Sequence, residues 1–300
     1  ISSSGIEMAF SKAVRGRILS ADAVTKDGTV LFSTGHLVSR VDAIAIEKSD
    51  IASVSVRSPM TCKTLQGVCQ QCYGIDLTTN KLVDIGEAVG TIAAQAIGEP
   101  GTQLTMNTKH AGGAASVGGD VTQGLPRVEE VFEKRQPKIP AVISKTDGMI
   151  TSIRTEGKEK IITVAPTLGS KYATKKNDSI EYPVHFRRMV NVKEGEAVTQ
   201  GQLLTDGSVH LPDLFKYAGE LVTQEYIINE TNKIYELQGV TIARKHIELI
   251  VKQMMSRMKI TNAGDSHFTV GDVVEEWMLV KANNELKEAG NEPAKADRLI

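Results

Sequence analysis

Three cysteines, Cys62, Cys69 and Cys72, carry the sharpest chemical signal in this 300-residue chain. Two thiolates separated by two residues can turn onto one metal ion, and a third from just upstream completes three corners of a tetrahedron. Zinc at a structural site takes four ligands. The fourth is expected from His36 or, more simply, from sequence outside this chain. Three free thiols are the plainer alternative. A catalytic thiol is disfavoured, because no histidine stands nearby in sequence and Gly67, Tyr73 and Gly74 read as knuckle residues. An odd, clustered set of cysteines argues for a reducing compartment and against a secreted disulfide framework.

A second group is defined by spacing. Gln103, Met106, Asn107 and His110 fall at i, i+3, i+4 and i+7, so on a helix they share one face, while Thr108 and Lys109 point elsewhere. The glycine-rich run 111–119 follows directly, and each glycine there disfavours helix by about 1 kcal/mol relative to alanine. A polar face with a histidine, tethered to such a run, suits an element that folds and melts over a ligand.

The elements expected to position these groups can be read outward from them. Val89, Ile92, Ala93, Ala96 and Ile97 form the apolar stripe of a helix over 86–97, with Asp84 as its N-cap. Gly98-Glu99-Pro100-Gly101 is expected to break it, since Pro100 lacks an N–H and biases Glu99 away from the helical region. A second helix begins at Gly124, with Leu125, Val128, Val131 and Phe132 on one face and Pro126 in its first turn. The pair makes a hairpin over 81–137.

Ahead of it, 1–80 reads as a mixed α/β segment that ends in the cysteine cluster. Phe10 and Val14 start an amphipathic turn, Val30–Phe32 and Ala43–Ile46 are short β-like runs, and Ser53–Arg57 alternates like a strand. Residues 138–210 are β-rich. The runs 141–144, 149–154, 160–165 and 180–184 are separated by turn residues, and Gly195, Gly201 and Gly207 recur at even intervals. That last pattern looks like a barrel-sandwich hybrid, a fold shared with biotinyl and lipoyl carriers. The carrier lysine motif is absent, which leaves a packing role.

Residues 211–300 read as helical. One helix closes at Gly239, and the next has Ile247, Ile250, Val251, Met254 and Met258 on one side. Arg244, Lys245, Lys252 and Arg257 are assigned to a solvated face, and a last helix over 270–289 carries Trp277. The fold class expected is α+β: a helical hairpin, a zinc-site module and an inserted small β domain.

Composition bounds the partners. A formal net charge of −1 gives no global basic signature, so any nucleic-acid contact has to be local. No apolar run approaches the roughly 18 residues of a membrane helix. The chain opens at Ile1 without a methionine and closes on Ile300 after a charged run, as a piece of something longer would.

Several long blocks carry a family resemblance in collinear order. VRSPMTCKTLQGVCQQCYG, GEAVGTIAAQAIGEPGTQLTM, GGDVTQGLPRVEEVFEKR and LQGVTIARKHIELIVKQM together resemble the C-terminal half of the β′ subunit of bacterial multisubunit RNA polymerases. The resemblance implies that Cys62, Cys69 and Cys72 bind one zinc, that 86–135 is the trigger loop with its helices, and that the β region is the downstream jaw. It implies two-metal nucleotidyl transfer. By the same resemblance Gln103 would approach the ribose, Met106 would pack on the base, and His110 would reach the phosphates as positioner or proton donor. Ordering about ten loop residues costs on the order of 10 kcal/mol, so only a correctly placed nucleotide offsets closure.

Partners implied are the β, α, ω and sigma subunits, template DNA, nascent RNA and nucleoside triphosphates, in the bacterial cytoplasm at the nucleoid. The family commonly has arginine where this chain has Asn107 and phenylalanine where it has Lys109. The aspartate-rich motif that binds the active-site magnesium is absent, so this segment by itself is expected to be inactive. The rival class is a non-catalytic, zinc-stabilised module that binds nucleic acid or protein.

Overall fold

A computed structural model describes residues 10–110, 125–157, 159–167 and 179–300, with 102–110 and Leu125 described by backbone alone; Gly112, Gly113, Gly118 and Gly119 of the glycine-rich run lie outside the described residues. In chain order the elements are α1 (Phe10–Val14), β1 (Ala23–Val24), β2 (Val30–Phe32), α2 (Arg40–Lys48), α3 (Gln70–Tyr73), α4 (Val89–His110) and α5 (Leu125–Phe132). There follow β3 (Gly148–Glu156), β4 (Glu159–Pro166), β5 (Ile180–Val184), β6 (Ala197–Val198), α6 (Leu211–Ala218) and α7 (Glu220–Leu237). The chain closes with α8 (Arg244–Met254), β7 (Arg257–Asn262), β8 (Val273–Glu275), α9 (Glu276–Glu288) and β9 (Lys295–Arg298). The mixture is α+β, as expected, and no described helix is long and apolar enough to cross a membrane.

The chain divides into two compact units. The first is built from Ile1–Gly98 and Ile242–Leu299, the second from Glu99–Thr241 with Ile300. In the first, Phe10, Val14, Leu19, Val38, Ile46 and Val54 form one buried cluster. Tyr73, Val83, Ala93 and Leu249 form another, which seats the start of α4 against α8. A three-stranded antiparallel sheet in the order β8-β7-β9 packs under α9 through Ile260, Leu279 and Ala294.

In the second unit the sheet order is β5-β4-β3-β6, all antiparallel, with a bulge between Ile150 and Ser152. Ile162, Val164, Tyr182, Val184, Val198 and Leu204 fill its inner face. The evenly spaced glycines are turn residues, with φ of 80° at Gly195, 83° at Gly201 and 105° at Gly207. At Gly201 a Cβ would also collide with Ala218 at the end of α6, so glycine is required there twice over. Arg127 of α5 is buried and donates to Glu230 Oε1 (3.0 Å) and to the Tyr226 hydroxyl (3.0 Å), both on α7, and pairs with Glu130 (3.1 Å). The same hydroxyl accepts from the Val209 N–H at 3.1 Å. One buried guanidinium thus fixes α5 on α7.

Five expectations are corrected. The stretch Gly98–Gly101 does not break the helix: α4 is continuous through Pro100, and the boundary between the two units falls at Gly98–Glu99 within it. Pro100 removes one N–H and disfavours an interior helical position by about 3 kcal/mol, but the bonds on either side persist and Pro100 itself is buried. Ala43–Ile46 is helical rather than β-like, because Ser39 and Asp42 form a reciprocal capping box at the start of α2. Ser53–Arg57 makes only isolated bridges. The helix containing Ile247 stops at Met254, and Met258 lies in β7, paired with Val274 and Arg298. Helix α9 begins at Glu276 instead of 270, after β8.

Candidate functional site

The three cysteines converge. Their Sγ atoms all lie within 4.8 Å of one another, on a turn and the short helix α3. Zinc about 2.3 Å from each thiolate sets sulfur–sulfur separations of about 3.8 Å, so a metal needs only a small contraction of this cluster. The Cys69 N–H donates to Cys62 Sγ at 3.4 Å, and Thr64 Oγ1 lies 3.3 Å from it. Burial alone would push the Cys62 thiol up; the Cys69 and Thr64 contacts outweigh it and bring the thiol down to about 6. Burial, then the Cys69 side chain, pushes Cys72 up to about 11 against the pull of Arg57. Metal loading would therefore release protons from this group.

His36 is not part of this cluster. Its Nε2 pairs with Asp42 Oδ2 at 3.0 Å and its ring stacks on Phe32. No other histidine, cysteine or carboxylate joins the three thiols among the described residues. Arg57 does approach, with Nη2 3.5 Å from Cys72 Sγ and 3.8 Å from Cys69 Sγ. Three thiolates on a divalent ion would carry a net charge of −1, which this guanidinium is placed to balance without being a ligand itself. We expect Arg57→Gln to weaken metal affinity about tenfold, as loss of an outer-shell partner does. Competition with a chromogenic chelator measures it, and an unchanged constant would remove Arg57 from the site.

Helix α8 supports the cluster from behind. Lys252 Nζ donates to the carbonyls of Cys62 (3.0 Å) and Gly67 (3.4 Å). Arg17 and Glu248 form a buried bidentate pair at 2.7 and 2.8 Å, joined by Ser58 Oγ at 2.8 Å. Burial opposes ionisation of Glu248, but Arg17 and Ser58 outweigh it and hold its carboxyl below the usual range. Lys245 is buried, donates to the Ile75 carbonyl and sits 4.0 Å over the Tyr73 ring. Burial, then the Arg17 charge, lowers it to about 8. The solvated basic face expected of this helix is thus corrected: Lys245 is inside, Lys252 serves the cysteine turn, and Arg244 pairs with Glu248 at 3.4 Å.

Gln103, Met106, Asn107 and His110 fall in the last turns of α4, whose backbone is helical to His110. Their side chains lie outside the described residues. Arg57, Arg17, Glu248 and Arg127 were missed in the sequence, where a lone charged residue offers no periodic or spacing signal.

The model of the family described as RNA polymerase Rpb1, domain 5, matches residues 23–282. The chain belongs to that family. The DNA-directed RNA polymerase subunit beta' of Natranaerobius thermophilus is 43% identical over 287 residues, 96% of this chain and 23% of that protein. The same subunit of Caldanaerobacter subterraneus subsp. tengcongensis is 43% identical over 291 residues, 97% of this chain and 24% of its own length. The resemblance to β′ noted in the sequence is therefore borne out over almost the whole chain. The chain spans about a quarter of the length of the curated relatives it matches.

Proposed function

We propose that this chain works as part of the largest subunit of a multisubunit DNA-directed RNA polymerase. In this reading α4, α5 and the segment between them act as the trigger loop, closing on the incoming nucleoside triphosphate during template-directed nucleotidyl transfer. What supports it is family membership together with an α4 that stays helical to His110, so that positions 103, 106, 107 and 110 keep the i, i+3, i+4, i+7 register of one face. Gln103 and Met106 then meet the ribose and base, while Asn107 and His110 meet the triphosphate. The cysteine cluster holds a structural zinc whose fourth donor comes from elsewhere in the assembly. The active-site magnesium is bound by other parts of the enzyme, and the β3–β6 sheet serves as a jaw supporting downstream DNA. Partners are the remaining polymerase subunits, template DNA and nascent RNA.

His110 decides between this and a purely binding module. In the assembled polymerase, His110→Gln is expected to slow nucleotide addition about 10²-fold, the lower end for a positioned acid, with assembly and DNA binding unchanged. Rapid-quench measurement of single additions reads it. A normal rate, or lost DNA binding at a normal rate, would overturn the proposal.

A further inference from the structure

The first unit carries a second feature that the nucleotide-facing role does not use. A groove of about 640 Å³ runs between the turn that links Cys62 to Cys69 and one side of α9. Leu65, 56% exposed, faces it from the turn, and Trp277, Lys281, Glu285 and Glu288 line it from the helix. Those helical positions are i, i+4, i+8 and i+11, a single stripe.

Both walls are held. Trp277 Nε1 donates to Glu275 Oε2 at 2.6 Å, and Glu275 in turn pairs with Arg257 at 3.2 Å, which fixes the indole. The opposite wall is tied by Lys252 to the carbonyls of Cys62 and Gly67. A pre-set aromatic surface facing an exposed leucine loses little freedom when a third apolar group enters between them. The far end is acidic: Lys281 can be matched by one of the two carboxylates, which leaves the other without a counter-charge, and neither Glu285 nor Glu288 makes an ion pair among the described residues.

We propose that this groove docks an extended segment of a partner polypeptide that presents an aliphatic residue to Leu65 and Trp277 and an arginine or lysine to Glu285 and Glu288. The spacing follows from geometry. Eight to eleven helical residues separate the aromatic end from the carboxylates, about 12–17 Å at about 1.5 Å per residue. An extended chain covers that distance in about four or five residues. The site is independent of the trigger-loop reading and stands or falls separately.

Trp277 is the only tryptophan in the sequence, so its emission reports on the groove directly. The 300-residue chain is titrated with a synthetic peptide carrying leucine at one end, arginine five residues on and a glycine–serine spacer between. Two controls replace the arginine by glutamate or move it next to the leucine. The matched peptide is expected to shift the Trp277 emission and to bind at least tenfold more tightly than either control. Glu285→Lys together with Glu288→Lys should reverse the preference towards the acidic peptide, with far-ultraviolet circular dichroism as the check on folding. Should that double variant not fold, the three-peptide comparison on the unaltered chain remains decisive. No emission change up to millimolar peptide, equal binding of the three peptides, or displacement of the matched peptide by a single-stranded oligonucleotide would overturn the proposal.

Discussion

Arg17→Met is expected to destabilise the first unit by about 3–5 kcal/mol, the range for breaking a buried ion pair from one side. The substitution leaves the Glu248 carboxylate buried, with Ser58 Oγ at 2.8 Å and the partly exposed Arg244 at 3.4 Å as its remaining partners. Arg244 places the loss towards the lower end of that range. Arg17 and Glu248 are 231 residues apart in sequence, and they join the two chain segments from which that unit is built. An apolar contact could supply the same burial, but it would not fix the register of α8 against the segment that follows α1 as a bidentate pair does. Replacing both partners, Arg17→Met with Glu248→Met, is therefore expected to recover most of the stability, because no uncompensated charge remains. Urea unfolding followed by Trp277 fluorescence measures both, since Trp277 lies in this unit. Single and double variants with equal losses would show that packing, and not the ion pair, carries the contact.

That pair also marks the limit of what the sequence discloses. The cysteine cluster is legible because its ligands are separated by x6 and x2, and a short turn brings them together whatever the rest of the chain does. The stripe of α4 and the strands β3, β4 and β5 are legible for the same local reason: their period and their turn residues are written within one element. Lys245 is the opposite case. Its sequence neighbours make it one cation among several on a helix, and it is the Ile75 carbonyl, 170 residues away, together with the Tyr73 ring that turns it inward. Met258 reads as the next turn of α8 until β9 arrives from the chain's end to pair with it. Pro100 shows how a strong local rule is overridden when the helix has residues to either side that keep it wound. Of the two candidate sites, the cysteine cluster is thus legible in the sequence, whereas the approach of Arg57 to it is not.

The same buried group predicts an acid sensitivity. His246 is 3% exposed, and its Nδ1 has no hydrogen-bond partner. Burial, followed by the charges of Lys245 and Arg17, lowers its pKa to about 4. The groups facing it are Tyr73 from α3, whose ring centroid lies 6.4 Å away, Lys245 from its own helix and Arg17 with its partner Glu248. The unfolded chain takes up a proton near pH 6.5, whereas the folded chain refuses it until about pH 4. Across that interval the unfolded state binds more protons, so stability falls as pH falls. It is complete above about pH 6.5, and His246 withdraws about 3 kcal/mol on the way down to pH 4. Lys245 has the same sign at the other end: with a folded value of about 8 it makes stability rise further as pH climbs towards its unfolded value. His246→Met removes the ring titration and fills the space with a flexible apolar chain. Its stability should therefore stay nearly level between pH 6.5 and 5, where the unaltered chain declines, and the difference between the two curves cancels every other titrating group. Parallel urea-midpoint profiles across that interval would mean that His246 is protonated as readily inside the fold as outside it.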